Sequence, residues 1–269
     1  MESSLQENPA DVKLWLTLAR YHLKDYTENT SDKSALEKAL AVLSKSLELN
    51  RDSEELWIEY LSLFAKNSSA DELRELSYQA VMYGATYNVW WTCLNLEKSV
   101  LGKQEICTEM IKFIIEVEED KKLKSHKLTE TLLYLCKLLE AREHHKLMYH
   151  CLLAALGIGK VEDKSKKLMI ANLEPHLTKN DLAILWICFL SVKCFHCLPK
   201  ELFAMDESGP GRLVNKTNFV LDWSRLYKIT VDEARSTFHG KLLYMGNYVL
   251  CCIDIICSRE TKNCVQKSL

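Results

Sequence analysis

A tryptophan returns at intervals along this chain, each time inside the same kind of amphipathic pattern. The segments are Leu14-Trp15-Leu16, Leu56-Trp57-Ile58-Glu59-Tyr60, Trp90-Trp91-Thr92-Cys93-Leu94 and Leu185-Trp186-Ile187-Cys188-Phe189. Trp15 to Trp57 spans 42 residues and Trp57 to Trp91 spans 34. Intervals of this size, with a second apolar helical stripe between successive tryptophans, are the mark of helical hairpins stacked in series. Such an array buries its core between neighbouring units and offers an extended surface instead of a reaction centre. The fold expected is all-α, a right-handed solenoid of helical hairpins.

Composition agrees. Only 8 glycines and 4 prolines occur in 269 residues, so helix breakers are few. No Asn-Gly or Asp-Gly turn separates alternating strands. The formal charge is −2, from 35 basic and 37 acidic residues interspersed along the chain, which gives no support to a groove built on phosphate neutralisation. Two lysine-rich runs, residues 121–127 and 160–167, read as solvated linkers between helices. Of the 11 cysteines, Cys93, Cys107, Cys136, Cys151 and Cys188 fall where helices place buried side chains, and free cysteine packs as a small hydrophobe. Their odd number and irregular spacing, with no leading apolar segment, point to a reducing compartment and not to a disulfide framework. The apolar runs 182–198 and 244–257 contain Lys193, His196, Asn247 and Asp254, and read as buried helices, not membrane spans.

Along the chain, Trp15, Leu18 and His22 share one helical face, answered by Leu36, Ala39, Leu40, Leu43 and Leu47 on a partner helix. Ser34 with Glu37 predicts a capping box there, and the polar residues 27–33 predict a long loop that explains the 42-residue interval. In the second unit Trp57, Tyr60, Leu61 and Phe64 face Leu73, Leu76 and Ala80, with Ser69 and Glu72 as a capping box. The third sets Trp91, Leu94 and Lys98 on one face and continues with Cys107, Met110, Ile111 and Ile114. A fourth hairpin lacks the tryptophan: Leu128, Leu132, Leu135 and Leu139, then Leu147, Cys151 and Ala154. Gly157-Ile158-Gly159-Lys160 interrupts the array without the strand or spacing of a phosphate loop. Helices are expected to resume at 166–173 and 182–197, and Thr230 with Glu233 predicts a further cap. The organisation expected is helical repeats at 10–156, a break and linker helix at 157–181, further helices at 182–257 with a docked loop at 198–222, and a disordered tail at 258–269.

Two clusters invite a metal reading. Cys194 and Cys197 share a helical face, with Cys188 and His196 nearby, but a structural zinc wants two close pairs and the second is missing locally. His144, His145, His150 and Cys151 lack a carboxylate at metalloprotease spacing and read as a solvated helix start. No nucleophile signature such as Gly-x-Ser-x-Gly occurs. The expectation is therefore no catalytic residue, no metal ligand, no cofactor, no membrane segment and no small-molecule substrate. The tryptophans read as packing between helices and not as platforms for bases.

The runs Trp57-x-x-Tyr60-Leu61-x-Leu63-Phe64 and Trp91-x-x-Leu94-x-Leu96-Glu97 resemble half-a-TPR (HAT) repeats, a family found mainly in RNA-processing scaffolds. With Leu198-Pro199-x-x-x-Phe203 and Arg212-x-Val214-Asn215-x-x-x-Phe219-Val220-x-x-Trp223, the series from about Leu14 to about Ala234 is similar to the C-terminal repeat region of the large nuclear CCCH-type zinc-finger scaffolds of the poly(A)-tail exosome-targeting (PAXT) connection. That resemblance implies a nuclear, non-enzymatic scaffold, with exosome-associated RNA helicase components as protein partners and RNA met indirectly. A direct RNA-binding module using the lysine-rich runs is the alternative. The family's CCCH finger and low-complexity N-terminal region have no counterpart here, which suggests a fragment, a short isoform or a shortened relative. No residue is assigned to partner binding. The structural anchors expected are Trp15, Trp57, Tyr60, Trp91, Trp186 and Trp223.

Overall fold

The computed structural model describes residues 8–24, 33–157 and 170–199. Among these, the regular structure is helical throughout, with no strand: α1 (Val12–His22), α2 (Lys33–Leu49), α3 (Glu54–Phe64), α4 (Ala70–Tyr83), α5 (Tyr87–Leu96), α6 (Val100–Val117), α7 (Lys121–Glu140), α8 (His145–Ala155), a 3-10 turn at Glu174–His176, and α9 (Lys179–Phe195). The all-α expectation holds for them. The expectations for 200–269, including Trp223, the greater part of the 198–222 loop and the Thr230–Glu233 cap, lie outside the described residues, as do those for 27–32 and 160–167. The chain divides into two compact units, Met1–Ile106 and Cys107–Leu269, the boundary falling within α6.

In the first unit consecutive helices pack on one another, and α1 meets α3 while α3 meets α5. The predicted stripes form its core: Trp15 and Leu18; Leu36, Ala39, Leu43 and Leu47; Trp57 and Leu61; Leu73 and Ala80 are all buried. Leu40, Tyr60, Phe64 and Leu76 are half-buried against it. Local signals set the helix starts. Asp11 accepts the Leu14 N–H (3.1 Å), and Thr86 accepts the Val89 N–H (3.3 Å). The Ser69–Glu72 capping box is present in full: the Ser69 N–H donates to Glu72 (2.8 Å) and the Glu72 N–H to Ser69 Oγ (3.3 Å). Those bonds from Ser69, the backbone one foremost, hold the Glu72 carboxyl below its ordinary pKa. Two expectations shift. α2 already begins at Lys33, so Ser34 lies within its first turn. α5 ends at Leu96, so Lys98 is exposed beyond it, while the buried lysine is Lys103, whose Nζ donates to the Leu94 carbonyl (2.6 Å). A side-chain ammonium there satisfies a carbonyl in the last turn of α5 that has no partner within the helix, at the end where the dipole favours positive charge.

The first two tryptophans do more than fill space. Trp15 donates its indole N–H to the Pro9 carbonyl (2.9 Å) and Trp57 to the Arg51 carbonyl (2.7 Å), six residues back in both cases. The turns they hold are alike: the Asp11 N–H bonds to the Asn8 carbonyl and the Ser53 N–H to the Asn50 carbonyl. Gly84, at the end of α4, lies flush against the second indole, where a Cβ would sit 2.4 Å from Trp57 Cδ1. Only a residue without a side chain permits that approach.

In the second unit α7, α8 and α9 pack mutually, and the Glu174–His176 turn lies on α7. α7 is buried nearly all round from Leu128 to Leu139, the pattern of a core helix. Residues 121–127, expected as a linker, are instead its first turns: Asp120 accepts the Leu123 N–H (2.7 Å) and starts the helix. Periodic apolar residues outweighed the local run of charge. Glu143 (φ 58°) ends α7 with its N–H on the Glu140 carbonyl and the His144 N–H on the Leu139 carbonyl, both 2.9 Å, which is a Schellman motif. α8 buries Met148, Cys151, Leu152 and Ala155, one residue away from the expected Leu147 and Ala154. Residues 170–173 are not helical, contrary to the helix expected at 166–173, because the Leu173 N–H turns back to the Ala155 carbonyl (2.8 Å) and Pro175 opens the 3-10 turn. α9 begins at Lys179, capped by Thr178 and tied to α7 by a buried polar group. Ser125 Oγ donates to Asp181 Oδ2 and accepts the Thr178 N–H (2.8 Å), while Thr178 Oγ1 donates to Asp181 Oδ2 (2.7 Å). Trp186 is half-buried, edge-on to Phe189 at 5.8 Å, and Leu185, Cys188 and Phe189 take the core positions expected of it.

Trp57→Ala should lower unfolding free energy by about 3–5 kcal/mol, the range for truncating a buried aromatic. Gly84→Ala should cost about 1–3 kcal/mol by overpacking. In a Trp57→Leu background the Gly84→Ala cost should largely vanish. Chemical denaturation of the four proteins measures this, and additive effects would contradict the contact between them.

Candidate interaction surface

Five of the cysteines placed in core positions by periodicity, Cys93, Cys107, Cys136, Cys151 and Cys188, are buried free thiols. Burial pushes Cys93 up to about 11 and Cys151 up to about 12. It raises Cys136 and Cys188 as well, and Cys136 also feels Cys151, Cys188, Glu140 and Cys107 around it. The thiolate is the nucleophile and metal ligand, so these groups are packed apolar atoms and not reactive ones. Cys197 is half-buried beside His196, and among the described residues no three His, Cys, Asp or Glu side chains gather to hold a metal ion. The two histidine-bearing clusters weighed separately in the sequence meet in space: His145, at the start of α8, and His196, just after α9, have ring centres 6.0 Å apart. His150 instead lies against Tyr149, and Cys151 faces the core.

The lysines of residues 121–127 do not form a free basic patch. Lys124 Nζ donates to the Ile115 carbonyl (2.9 Å) and Lys127 pairs with Glu118, leaving Lys121 and Lys122 exposed. Two exposed lysines neutralise few phosphates.

The described surface most suited to holding another protein is on α4. Residues 71, 75, 78 and 82 follow i, i+4, i+7, i+11 spacing and form one stripe opposite the buried Leu73 and Ala80. Its acidic half is Asp71 and Glu75, Asp71 being bridged by Arg74 (3.3 Å), and its apolar half is Tyr78 and Met82, 59% and 61% exposed. At the same end, Arg51 lies over the ring of the half-exposed Tyr83, 5.6 Å from its centre. Sequence reading missed this stripe because it looked for apolar residues that fit a buried face. The signal was an i, i+4 pair of large apolar side chains on the polar side of the helix. A second missed signal is the repeated string Asn8-Pro-Ala-Asp11-x-x-Leu14-Trp15 and Asn50-Arg-Asp-Ser53-x-x-Leu56-Trp57, which encodes the shared turn. Counted from the Thr86 cap, Trp90 takes the position of Trp57, yet Trp91 is the fully buried ring, edge-on to Tyr87 at 6.1 Å.

Among the described residues, no helix is long and apolar enough to cross a membrane. No protein-family model matches the chain. A zinc finger C3H1 domain-containing protein of Homo sapiens is 31% identical over 234 residues. That stretch is 86% of this chain but only 11% of the human protein, so the chain spans about a ninth of its relative. Across most of its length, then, this chain, whose described regular structure is all helical, is similar to part of a CCCH-type zinc-finger protein.

Proposed function

We propose that the chain is a non-enzymatic scaffold in nuclear RNA surveillance, its hairpins stacked as a right-handed solenoid of HAT/TPR-like repeats. The observation that carries this reading is the 31% identity to a zinc finger C3H1 domain-containing protein, extending over 86% of the chain. The contacts of α1 with α3 and of α3 with α5, and the matched turns before Trp15 and Trp57, support stacked units. The resemblance to scaffolds of the poly(A)-tail exosome-targeting connection makes an exosome-associated RNA helicase complex the partner to seek. RNA would then be reached through that partner. The α4 stripe supplies the docking face, because Tyr78 and Met82 offer large apolar side chains that no helix among the described residues covers. Direct RNA binding is the second reading, and it rests on Lys121, Lys122 and the run at 160–167.

Tagged chain incubated with nuclear extract should retain the helicase after nuclease treatment. Tyr78→Ala with Met82→Ala should abolish that retention while changing stability by no more than about 0.5 kcal/mol per site, as for exposed positions. Loss of retention on nuclease treatment would instead favour the RNA reading. So would affinity for a polyadenylate probe that falls steeply with salt and drops further in Lys121→Glu with Lys122→Glu.

A further inference from the structure

We infer that the α4 stripe takes one amphipathic helix of a partner protein, laid antiparallel to α4, with its large apolar residues ahead of its lysines or arginines in sequence. The inference rests on the reading of this stripe as the docking face and names the chemistry of what docks there. Asp71, Glu75, Tyr78 and Met82 are separated by four, three and four positions. That is the alternation of d and a positions along the seam of a coiled coil, where a facing helix sets its own side chains between them. An extended strand, whose side chains change face at every residue, has no matching period. From Asp71 to Met82 the seam runs about 16 Å, at roughly 1.5 Å per residue, so a partner helix of about three turns covers it.

The composition of the seam fixes the order of the partner's residues. Tyr78 and Met82, both exposed, call for large apolar side chains. Asp71 and Glu75 call for cations. The helix carries three acids, Asp71, Glu72 and Glu75, against one base, Arg74, and that base is shared between Asp71 (3.3 Å) and Glu97 (3.5 Å). Negative charge is therefore in excess at this end, and the Asp71 side chain is 94% exposed. Polarity follows from the helix dipoles. Both carboxylates lie in the first two turns of α4, and a lysine or arginine is favoured at the end of a helix and disfavoured at its start. An antiparallel partner brings its C-terminal end beside the start of α4, and a parallel one does not. A second copy of this chain fails these terms. With two α4 helices paired in parallel, acids face acids; paired antiparallel, acids face Tyr78 and Met82.

The test uses synthetic helical peptides of about three heptads, titrated against the full chain by fluorescence anisotropy. One peptide has leucines at the a and d positions of its first half and lysines at those of its second half, with alanine and glutamine elsewhere. A second has the same composition in the opposite order, and a third has glutamate for lysine. The first should bind saturably, one per chain, and each of the others at least about tenfold more weakly, since like charges and mismatched ends are both penalised. The gap between lysine and glutamate peptides should narrow with added salt. Tyr78→Ala with Met82→Ala should abolish binding, and Glu75→Lys should favour the glutamate peptide, with the helical signal of the chain unchanged in both. The peptide comparison leaves the chain unaltered, so it decides even where a variant fails to fold. Equal binding of both orders, indifference to charge, or no binding of any peptide would overturn the proposal. The titration contains no helicase, RNA or extract. A bound peptide with no helicase retained counts against the surveillance reading alone, and a retained helicase with no peptide bound counts against this one alone.

Discussion

A single hydrogen bond, from a tryptophan indole to a carbonyl six residues earlier, organises the first unit. Made by Trp15 to Pro9 and by Trp57 to Arg51, it fixes the entry of a helix relative to the ring that helix buries. Burial of an indole removes on the order of 150–250 Å² from water, roughly 4–6 kcal/mol at about 25 cal/mol/Å² before entropy is counted. The hydrogen bond adds only about 0.5–1.5 kcal/mol, but it supplies direction, which burial lacks. Asn50 donates to the same Pro9 carbonyl (3.2 Å), so the chain leading into α1 is held from the far end of α2 as well. Gly84 then meets the Trp57 ring edge-on, extending the same arrangement to the end of α4.

Much of this was legible. Apolar residues at helical spacing named the buried faces of α1 to α6 nearly residue by residue, because helix geometry leaves few ways to hide a stripe. The Ser69–Glu72 box was equally plain, since both halves of a local hydrogen-bond exchange lie within four residues. The failures share a different cause. Residues 121–127 look solvated by charge, yet Asp120 and the leucines beyond them commit the segment to α7. Trp186 looks like a fourth anchor, but no Gly84-like approach or upstream turn carbonyl holds it among the described contacts, and smaller neighbours take the interior. The meeting of His145 with His196 depends on how two helices pack, and sequence spacing carries no record of that.

The two units reach stability by different routes. The first relies on rings locked to turns. The second relies on α7, where Ser125 completes the start of α9 and the Thr131 hydroxyl returns to the Lys127 carbonyl (2.8 Å). Glu140 accepts the Leu198 N–H (2.7 Å) and pairs with Lys137 (2.5 Å), fastening the chain after α9 to the other end of α7. Thiols fill the remaining interior, where a sulfur adapts to irregular gaps without demanding a partner. This division leaves surface residues free to change while the turns of the first unit and the central helix of the second each keep their own helices in register.

The buried ammonium of Lys103 gives the first unit a property that no apolar residue in its place would confer. Its charge is held in part by the Leu94 carbonyl, which the last turn of α5 presents to it. Fraying of that turn strips an acceptor from a cation already removed from water, a far larger penalty than exposing a leucine. The end of α5 and the start of α6 are thereby tied to one another, so loosening either end disturbs a charge that the other end has taken out of water.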